Sequence, residues 1–367
     1  MTISAKAPKR VVVAMSGGVD SSVVAALMKR DGDDVVGITL QLYSENAGRK
    51  KGTCCAGRDI YDARNVASML SIPHYVLDFE AKFRDRVIKD FAETYARGET
   101  PVPCIRCNER VKFADLMDIA REIGGDALAT GHYARRVDDV EGPQLHVASD
   151  RTRDQSYFLF TTTRKQLSYL RFPIGGLPKG EVRAIAADLG LPVADKPDSQ
   201  DICFVPDGDY ARIVEQVRPE ARVEGTIVDG SGTVLARHHG IAHFTVGQRK
   251  GLGVSGNKGR LFVSEIDGKT HRVVVGPREQ LACKTTELHD VNWLAPIDGP
   301  LDCAVKVRST HFPVAARVTA LASGRALVEF RDPEFGVAPG QACVFYEGSR
   351  VLGGGWIARP QEQRAVA

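Results

Sequence analysis

The chain has 367 residues, of which 43% are hydrophobic and 26% are charged, and its formal net charge is +3. These values are typical of globular proteins and exclude a collagen, a coiled coil and a disordered chain. The length predicts two or three domains. No apolar run in the sequence approaches the ~18 residues that a membrane-spanning helix needs. The run from Val11 to Met15 is too short for a secretory signal, so we expect a cytoplasmic protein with no membrane partner.

The charge excess lies in the C-terminal part of the chain. Residues 1–207 carry 29 basic and 29 acidic side chains, whereas residues 208–367 carry 20 and 17. Such an excess hints at contact with a polyanion, although random scatter explains it equally well. The 8 cysteines do not predict a disulfide framework in a cytosolic chain of this size. Their spacing must therefore show which of them are catalytic, redox-active or metal-binding.

The first part of the chain alternates strand and helix patterns. Short β-branched or apolar runs predict strands at 11–15, 35–42, 75–77 and 127–130. Apolar residues at helical spacing predict helices at 21–30, 59–70 and 112–123. Strands and helices that alternate at this spacing predict a doubly wound parallel α/β sheet.

The second part of the chain is rich in strand patterns separated by turn-forming residues. The alternating or β-branched segments are 225–235, 262–263, 273–275, 305–308, 326–330 and 343–346. They predict a small β-rich central domain followed by a C-terminal β-barrel. We accordingly expect three domains, at 1–207, 208–282 and 283–367.

The sharpest local motif is Ser16-Gly17-Gly18-Val19-Asp20-Ser21-Ser22, between the first predicted strand and the first predicted helix. Two glycines allow a tight turn that brings backbone N–H groups close to an anion, and the following helix N-terminus adds further donors. Asp20 offers a carboxylate for a magnesium ion beside phosphates. The motif is neither a Walker A loop nor a dinucleotide-binding GxGxxG. A serine-capped helix after a glycine turn would explain only part of it.

This string resembles the SGGxDS loop of the ATP-pyrophosphatase superfamily. Members of that superfamily adenylate an oxygen of their substrate and release pyrophosphate. The resemblance therefore implies cleavage of ATP to AMP and pyrophosphate, and it leaves the acceptor open.

Two cysteines, Cys104 and Cys107, form a CxxC pair after a segment with two prolines that starts at Thr100. The prolines predict a stiff loop outside a helix, so Cys107 would stand near the N-terminus of the helix that follows. A helix N-terminus and a neighbouring cation such as Arg106 both lower the pKa of a thiol, which favours a thiolate. A small buried cysteine pair, a metal half-site and a redox pair are the alternatives.

A third motif is the polar segment 196–204, which contains Cys203. Together the motifs make the chain similar to the tRNA-specific 2-thiouridylases, which thiolate the wobble uridine of certain tRNAs. The matching stretches run along the whole chain and are 16–22, 62–64, 100–113, 129–134, 154–159, 196–204, 244–253 and 339–341.

The resemblance implies cofactors, partners and roles for individual residues. ATP, with Mg²⁺, would be bound by Ala14, Met15, Ser16, Gly17, Gly18, Val19, Asp20, Ser21, Leu40 and Gly131. A tRNA of the Lys, Glu or Gln type would be contacted by His132, Arg153, Asp154, Gln155, Arg308, Ser309 and Gln341. Cys203 would accept a persulfide sulfur from a donor protein. Cys107 would attack that persulfide, free its terminal sulfur and leave a transient Cys107–Cys203 disulfide.

The chemistry needs these parts because the C2 oxygen of uridine is a poor leaving group. Adenylation turns that oxygen into AMP, which a sulfur nucleophile can displace, and magnesium with the loop amides neutralises the displaced pyrophosphate. The base must also leave the anticodon stack to reach a pocket. Tyr133 and Tyr157 are candidates, by their placement in the sequence, for contacts with the flipped base.

One position departs from the family pattern. Many members have an Asp three residues before the nucleophile, where it is proposed to handle a proton, and this chain has Cys104. Cys104 would replace that acid–base group, be a passive small residue, or join Cys107 and Cys203 in holding an iron–sulfur cluster. We interpret Cys54 and Cys55 as part of a structural or family-specific loop. The remaining cysteines lie in strand patterns and are expected in the core, namely Cys283, Cys303 and Cys343.

Two other functions compete with tRNA thiolation. A synthetase that activates an amide or a carboxylate could use the same ATP loop, and it would need neither Cys107 nor Cys203. A non-catalytic RNA-binding protein that kept a relic loop would release no pyrophosphate.

Overall fold

The computed structural model describes residues 9–43, 56–198, 202–205, 208–254 and 260–359. The chain divides into two compact units. The first unit contains Met1–Arg86 and Cys107–Phe204, and the second contains Val87–Arg106 and Val205–Ala367. Within the described ranges, no helix combines the length and the apolar character that crossing a membrane requires.

The first unit is built on a parallel sheet. The strands of this unit are β1 (Arg10–Ala14), β2 (Asp34–Gln41), β3 (His74–Asp78), β4 (Ala127–Thr130), β5 (Ala134–Asp139), β6 (Gly142–Val147) and β7 (Leu170–Arg171). Five of them form one sheet in the order β3-β2-β1-β4-β7, and every neighbouring pair is parallel. β5 and β6 form an antiparallel hairpin that the sequence patterns did not predict.

The helices of both units follow the same numbering in chain order. They are α1 (Val19–Arg30), α2 (Ala56–Met69), α3 (Glu80–Phe83), α4 (Lys89–Ala96), α5 (Pro103–Cys107), α6 (Leu116–Glu122), α7 (Arg164–Tyr169), α8 (Lys179–Asp188) and α9 (Tyr210–Val217). Two π-helical segments, Arg84–Ile88 and Asn108–Asp115, connect some of these helices.

The prediction of a doubly wound parallel sheet is confirmed. The central residues of β1, Val11 to Val13, are almost fully buried, as expected for a strand whose two faces are both covered. The chain runs from β1 towards β2 and β3 on one side, whereas β4 and β7 lie on the other side. The strand order therefore reverses between β1 and β4, and such a reversal opens a crevice at the carboxyl ends of the strands where ligands bind.

The prediction of a stiff, non-helical loop before Cys107 is confirmed for residues 100–102 and is wrong from Pro103 onward. α5 begins at Pro103, and helical structure continues through the π-helical segment into α6. Proline is compatible with the first turn of a helix because the N–H group it lacks has no partner there. Pro103 therefore starts the helix instead of preventing it.

The second unit is rich in β-structure. Its strands are β8 (Gly225–Asp229), β9 (Val234–His238), β10 (Phe262–Asp267), β11 (Arg272–Gly276), β12 (Ala282–Trp293), β13 (Leu301–Lys306), β14 (Val314–Leu321), β15 (Arg325–Phe335), β16 (Ala342–Glu347) and β17 (Arg350–Ile357). A four-stranded sheet has the order β10-β11-β8-β9. The strands β12-β15-β14-β13-β16-β17 close into a barrel because β12 also pairs with β17.

The predicted β-rich region and C-terminal barrel are thus confirmed as architecture, while the domain boundaries at 207 and 282 stay a prediction. The barrel encloses apolar side chains such as Leu288, Val318, Val328 and Phe345, all of which are fully buried. The segment 87–106 joins this unit although it lies between β-strands of the first unit in sequence.

The barrel core generates a stability prediction. We expect Leu288→Ala to lower the free energy of unfolding by about 2–5 kcal/mol, because the variant loses apolar burial and leaves a cavity. Leu321, which is 41% exposed on β14, provides a matched control, and Leu321→Ala should change the stability by less than about 0.5 kcal/mol. Tryptophan fluorescence during urea unfolding reports on this barrel, since both tryptophans, Trp293 and Trp356, lie in it. Equal losses in the two variants would contradict the assignment of the core.

Candidate functional site

The segment from Ser16 to Ser22 forms a tight loop between β1 and α1, which we call the phosphate loop. Gly17 adopts a φ of +75°, and a Cβ atom there would lie 2.0 Å from the carbonyl oxygen of Asp59 in α2. The hydroxyls of Ser21 and Ser22 both donate to the carbonyl oxygen of Gly18, at 3.3 and 2.8 Å. Only glycine fits position 17. The hydrogen bonds of the two serines to Gly18 stabilise the loop.

The other predicted ATP-binding residues lie on the strands beside this loop. Gly131 follows β4, and a Cβ atom at Gly131 would come within 2.9 Å of the backbone nitrogen of Ser21. β4 and α1 therefore approach more closely than a larger residue at 131 would allow. Leu40 lies near the carboxyl end of β2, next to β1 in the sheet. The structure thus gathers this predicted set at one edge of the sheet.

A buried lysine, Lys179 at the start of α8, joins two carboxylates at this edge. Its Nζ atom lies 2.7 and 2.9 Å from the two carboxylate oxygens of Asp20, and 2.8 Å from Oδ1 of Asp198. The hydroxyl of Tyr133 donates to Asp20 Oδ1 at 2.8 Å. Asp20, which the sequence predicted as a magnesium ligand, is therefore held by a lysine and a tyrosine in this structure.

Asp198 collects three cations. Besides Lys179, Arg183 and Arg153 contact its carboxylate, each at 2.9 Å. Burial raises the pKa of Asp198, but the hydrogen bond and charge of Lys179 and the charges of the two arginines outweigh it, so the pKa is lowered overall. Asp198 is consequently an anion at neutral pH and holds the lysine in place.

A second lysine ties the segment before residue 199 to the phosphate loop. Nζ of Lys196 donates to the carbonyl oxygen of Gly17 at 2.9 Å and to Asp59 Oδ1 at 2.7 Å, and it also contacts Asp62. Burial lowers the pKa of Lys196, but its bonds to Asp59 and Asp62 raise it more, so the ammonium stays charged.

Sequence reasoning assigned no role to Lys179, Lys196, Arg183 or Asp198. Asp62, Lys196 and Asp198 lie in stretches that match the family pattern. That match is the signal from which a role for these residues could have been inferred. Lys179 had no such signal, because a lysine at the start of a helix is normally exposed.

The two proposed catalytic cysteines differ in their environment. Cys203 is exposed in a turn near the end of the first unit. Cys107 is only 8% exposed, and burial raises the pKa of its thiol, an effect that the charge of Lys112 offsets only in part. The prediction of a lowered pKa at Cys107 is therefore wrong.

The physical reason lies in the position of Cys107 and its neighbour. Cys107 is the last residue of α5 and not the first of a helix, so it gains no benefit from a free helix N-terminus. The guanidinium of Arg106 lies 3.9 Å from the ring of Trp356, and its Nε atom is 3.7 Å from a carboxylate oxygen of Asp90. The charge of Arg106 therefore interacts with Asp90 and Trp356. Burial is the main influence on the protonation of the Cys107 thiol.

The remaining cysteines fall into three groups. Cys104 is exposed, Cys283 and Cys303 are partly exposed, and Cys343 is buried in the barrel. Cys54 and Cys55 lie outside the described residues. Across the part of the chain that the structure describes, no three His, Cys, Asp or Glu side chains are grouped so as to hold a metal ion.

Comparisons with known proteins give a consistent result along the chain. A model described as the tRNA methyl transferase HUP domain matches residues 9–207. Models described as the tRNA methyl transferase PRC-barrel domain and the aminomethyltransferase beta-barrel domain match residues 212–277 and 283–357.

Curated relatives match over nearly the whole chain. The tRNA-specific 2-thiouridylase MnmA of Rhodospirillum centenum (strain ATCC 51521 / SW) is 58% identical over 374 residues, which cover 99% of this chain and 95% of that protein. The chain belongs to the tRNA-specific 2-thiouridylase MnmA family. The MnmA protein of Rhizorhabdus wittichii is 59% identical over 351 residues, covering 95% of this chain and 91% of that protein.

The residues of the first unit that the MnmA resemblance assigned to tRNA mostly make internal bonds. His132 Nδ1 lies 2.8 Å from the hydroxyl of Thr130. Burial, with a contribution from Lys112, lowers the pKa of His132 well below its ordinary value, so the ring is neutral. Asp154 accepts hydrogen bonds from the backbone nitrogen of Ala148 and from Ser156. Contact of these residues with tRNA stays a prediction.

Gln155 and Tyr133 are also joined internally. Gln155 Oε1 accepts from the backbone nitrogen of Tyr133 at 2.9 Å, and the Gln155 backbone nitrogen donates to the Tyr133 carbonyl oxygen at 2.8 Å. The side chains of Tyr133 and Tyr157 are both buried in this structure. Contact of these two rings with a flipped base stays a prediction.

In the second unit, two residues that the MnmA resemblance assigned to tRNA hold loops together. Arg308 Nε donates to the carbonyl oxygen of Gly336 at 2.8 Å, and Nη2 donates to that of Val246 at 3.0 Å. Gln341 Nε2 donates to the carbonyl oxygen of Thr100 at 3.2 Å. Ser309 is partly exposed.

The environments of the cysteines predict an order of chemical reactivity. In the ligand-free protein, iodoacetamide should modify exposed Cys203 and Cys104 first, and Cys107 much later, because the thiolate is the reactive form and burial both raises the pKa of Cys107 and hides it. The rate at Cys107 should still be rising above pH 9, while the fully buried Cys343 serves as the slow internal control. Peptide mass spectrometry over time measures the order, and fastest modification at Cys107 would contradict the burial argument.

Proposed function

We propose that this protein is an ATP-dependent tRNA-uridine 2-sulfurtransferase that thiolates the wobble uridine of tRNA at C2. The observation that supports this most directly is the composition of the first unit. The phosphate loop, the Lys179–Asp20–Asp198 network, Cys107 and Cys203 all belong to one compact unit. The names of the MnmA relatives point to the same reaction.

The first chemical step of the proposal is adenylation. The C2 oxygen of the uridine attacks the α-phosphorus of ATP, and pyrophosphate leaves. The backbone N–H groups of the phosphate loop and the ammonium of Lys179 stabilise the charge that develops on the phosphate oxygens. Oxygen ligands such as Asp20 suit Mg²⁺, which would add to this charge neutralisation when bound with ATP.

The second step is sulfur transfer. A donor protein leaves a persulfide on Cys203, whose exposure makes it accessible to another macromolecule. The Cys107 thiolate attacks the Cys203 sulfur, which forms the Cys107–Cys203 disulfide and releases the terminal sulfur as hydrosulfide. Hydrosulfide adds to C2 and AMP leaves, and a cellular thiol reductant then reduces the disulfide. A cytoplasmic location, where such reductants act, is part of this proposal.

The raised pKa of Cys107 means that a base must take its proton before the attack. Cys104 lies three residues earlier on the same helix and is exposed. It stands where many members of the family have Asp, so we propose it as the candidate proton acceptor. Cys104→Asp should then keep activity, whereas Cys104→Ala should lose it.

The proposed sulfur transfer does not involve an iron–sulfur cluster, because the described residues contain no group of three side chains placed to hold a metal ion. Iron analysis and visible absorption of protein purified without oxygen test this choice. Stoichiometric iron that disappears in Cys104→Ala would overturn it.

Lys179 generates a prediction for the adenylation step. Lys179→Ala should slow ATP-dependent pyrophosphate release by about 10²–10³-fold, the usual loss for one charge-stabilising group in a transition state. Lys82 provides a matched control, since it also faces a carboxylate, that of Asp115 at 3.6 Å, but is half exposed. Lys82→Ala should therefore retain activity. Equal rates for Lys179→Ala and the unmodified protein would remove Lys179 from the mechanism.

The whole reaction is tested by nucleoside mass spectrometry. Unmodified tRNA is incubated with the protein, magnesium, ATP and a persulfide source. We expect 2-thiouridine that depends on ATP and is lost in Cys107→Ser and in Cys203→Ser, because each variant breaks the sulfur relay. Cys283→Ser, in the barrel, is the matched control and should keep activity.

The outcomes separate the competing functions. Pyrophosphate release that persists in both cysteine variants without any thiouridine would favour a synthetase with another acceptor. Absence of pyrophosphate release under all conditions, together with tRNA binding, would favour a non-catalytic RNA-binding protein.

A further inference from the structure

An aromatic ring stands almost entirely in solvent in the loop between β13 and β14. Phe312 is 90% exposed, compared with 63% for Tyr61 and 56% for Tyr75. The loop that carries it, residues 307–313, is called the Arg308 loop below. A ring this exposed contributes nothing to the core and is accessible to another molecule.

The Arg308 loop is anchored so that the ring cannot fold back easily. Arg308 donates to the carbonyl oxygens of Gly336 and Val246, and the backbone nitrogen of His311 donates to the Arg308 carbonyl oxygen at 3.2 Å. His311 Nδ1 also lies 3.6 Å from a carboxylate oxygen of Glu334. Phe312 precedes Pro313, which restricts its backbone to extended conformations. A loop that is ordered beforehand loses little entropy when it binds.

The charges around the loop favour an anionic partner. Two segments contain no Asp or Glu: residues 306–317 and residues 230–264. The bond from Arg308 to Val246 joins these two acid-free segments. Arg249 and Lys250, in the second of them, are both exposed. Acidic groups lie nearby as well: Glu334 is beside His311, Asp302 pairs with Arg317, and Glu329 lies opposite Arg317 on β15.

We propose that Phe312 stacks on an unpaired nucleobase of the tRNA substrate. Proteins bind single-stranded nucleic acid with exposed aromatic rings together with basic side chains. Here the ring is on a loop that Arg308 joins to the segment containing Arg249 and Lys250. Unpaired bases are the available target, since paired bases are already stacked within a helix.

The inference rests on the proposed function, because it takes tRNA to be the substrate. The stacking contact of Phe312 is additional to the tRNA contacts that the family resemblance assigned. It also assigns a function to the Arg308 loop. Arg308 acts here as a positioning residue, and Phe312 makes the contact.

The test measures the dissociation constant of the full-length protein for an unmodified, fluorescently labelled tRNA transcript at fixed salt. We expect Phe312→Ala to weaken binding by about 5- to 150-fold, the range found when a stacking aromatic is truncated. Phe312→Tyr should bind as the unmodified protein does. Phe312→Leu should behave like Phe312→Ala, because leucine is apolar but has no π-face.

The salt dependence separates stacking from charge. The slope of log K against log salt should be the same for Phe312→Ala and the unmodified protein, because no phosphate contact is lost. The double variant Arg249→Ala/Lys250→Ala should have a shallower slope. Tyr75→Ala, which truncates another exposed aromatic on β3, is the matched control and should bind normally.

Several results would overturn the proposal. Unchanged affinity in Phe312→Ala, with thiolation intact in the unmodified protein, would refute stacking and leave the proposed function standing. Normal affinity in Phe312→Leu would indicate a simple apolar contact. Normal tRNA affinity with slower sulfur delivery from a donor protein would assign the ring to a protein partner. Failure of the unmodified protein to bind tRNA would refute both proposals.

Discussion

The candidate site depends on one buried ammonium group, that of Lys179, which lies between the carboxylates of Asp20 and Asp198. It connects three parts of the first unit: the phosphate loop, the start of α8 and the segment that leads towards Cys203. Lys179 and Asp20 are 159 residues apart in sequence. Charges removed from water are tolerated only when they are paired and hydrogen-bonded, so the partners hold one another in position.

The two cysteines of the proposed relay differ in their exposure to solvent, and this difference suits their different roles. Cys203 is exposed, which suits a residue that receives sulfur from another protein. Cys107 is shielded, and its raised pKa keeps it protonated in the ligand-free protein. A protonated thiol is a poor nucleophile, so the proposed relay begins only when a base takes that proton. This arrangement protects the nucleophile between reactions.

In the second unit, two residues that the family resemblance assigned to tRNA also make internal hydrogen bonds. Arg308 donates to the carbonyl oxygens of Gly336 and Val246, and Gln341 donates to that of Thr100. The bonds of Arg308 fix the loop that carries Phe312, and Phe312 itself is 90% exposed. In our proposal, Arg308 positions the loop and Phe312 contacts the tRNA.

The sequence by itself determined the architecture and the position of the phosphate loop. Both are encoded locally: β-branched runs mark the strands, helical spacing marks α1 and α2, and consecutive glycines and serines mark the phosphate loop. The tertiary structure alone decided the Lys179 network, the burial of Tyr133 and Tyr157, and the raised pKa of Cys107. Local sequence even suggested the opposite pKa for Cys107, since Arg106 is adjacent in the chain but its charge is directed at Asp90 and Trp356. Periodicity reports which face of an element is apolar, whereas ion pairs and burial depend on residues that only folding brings together.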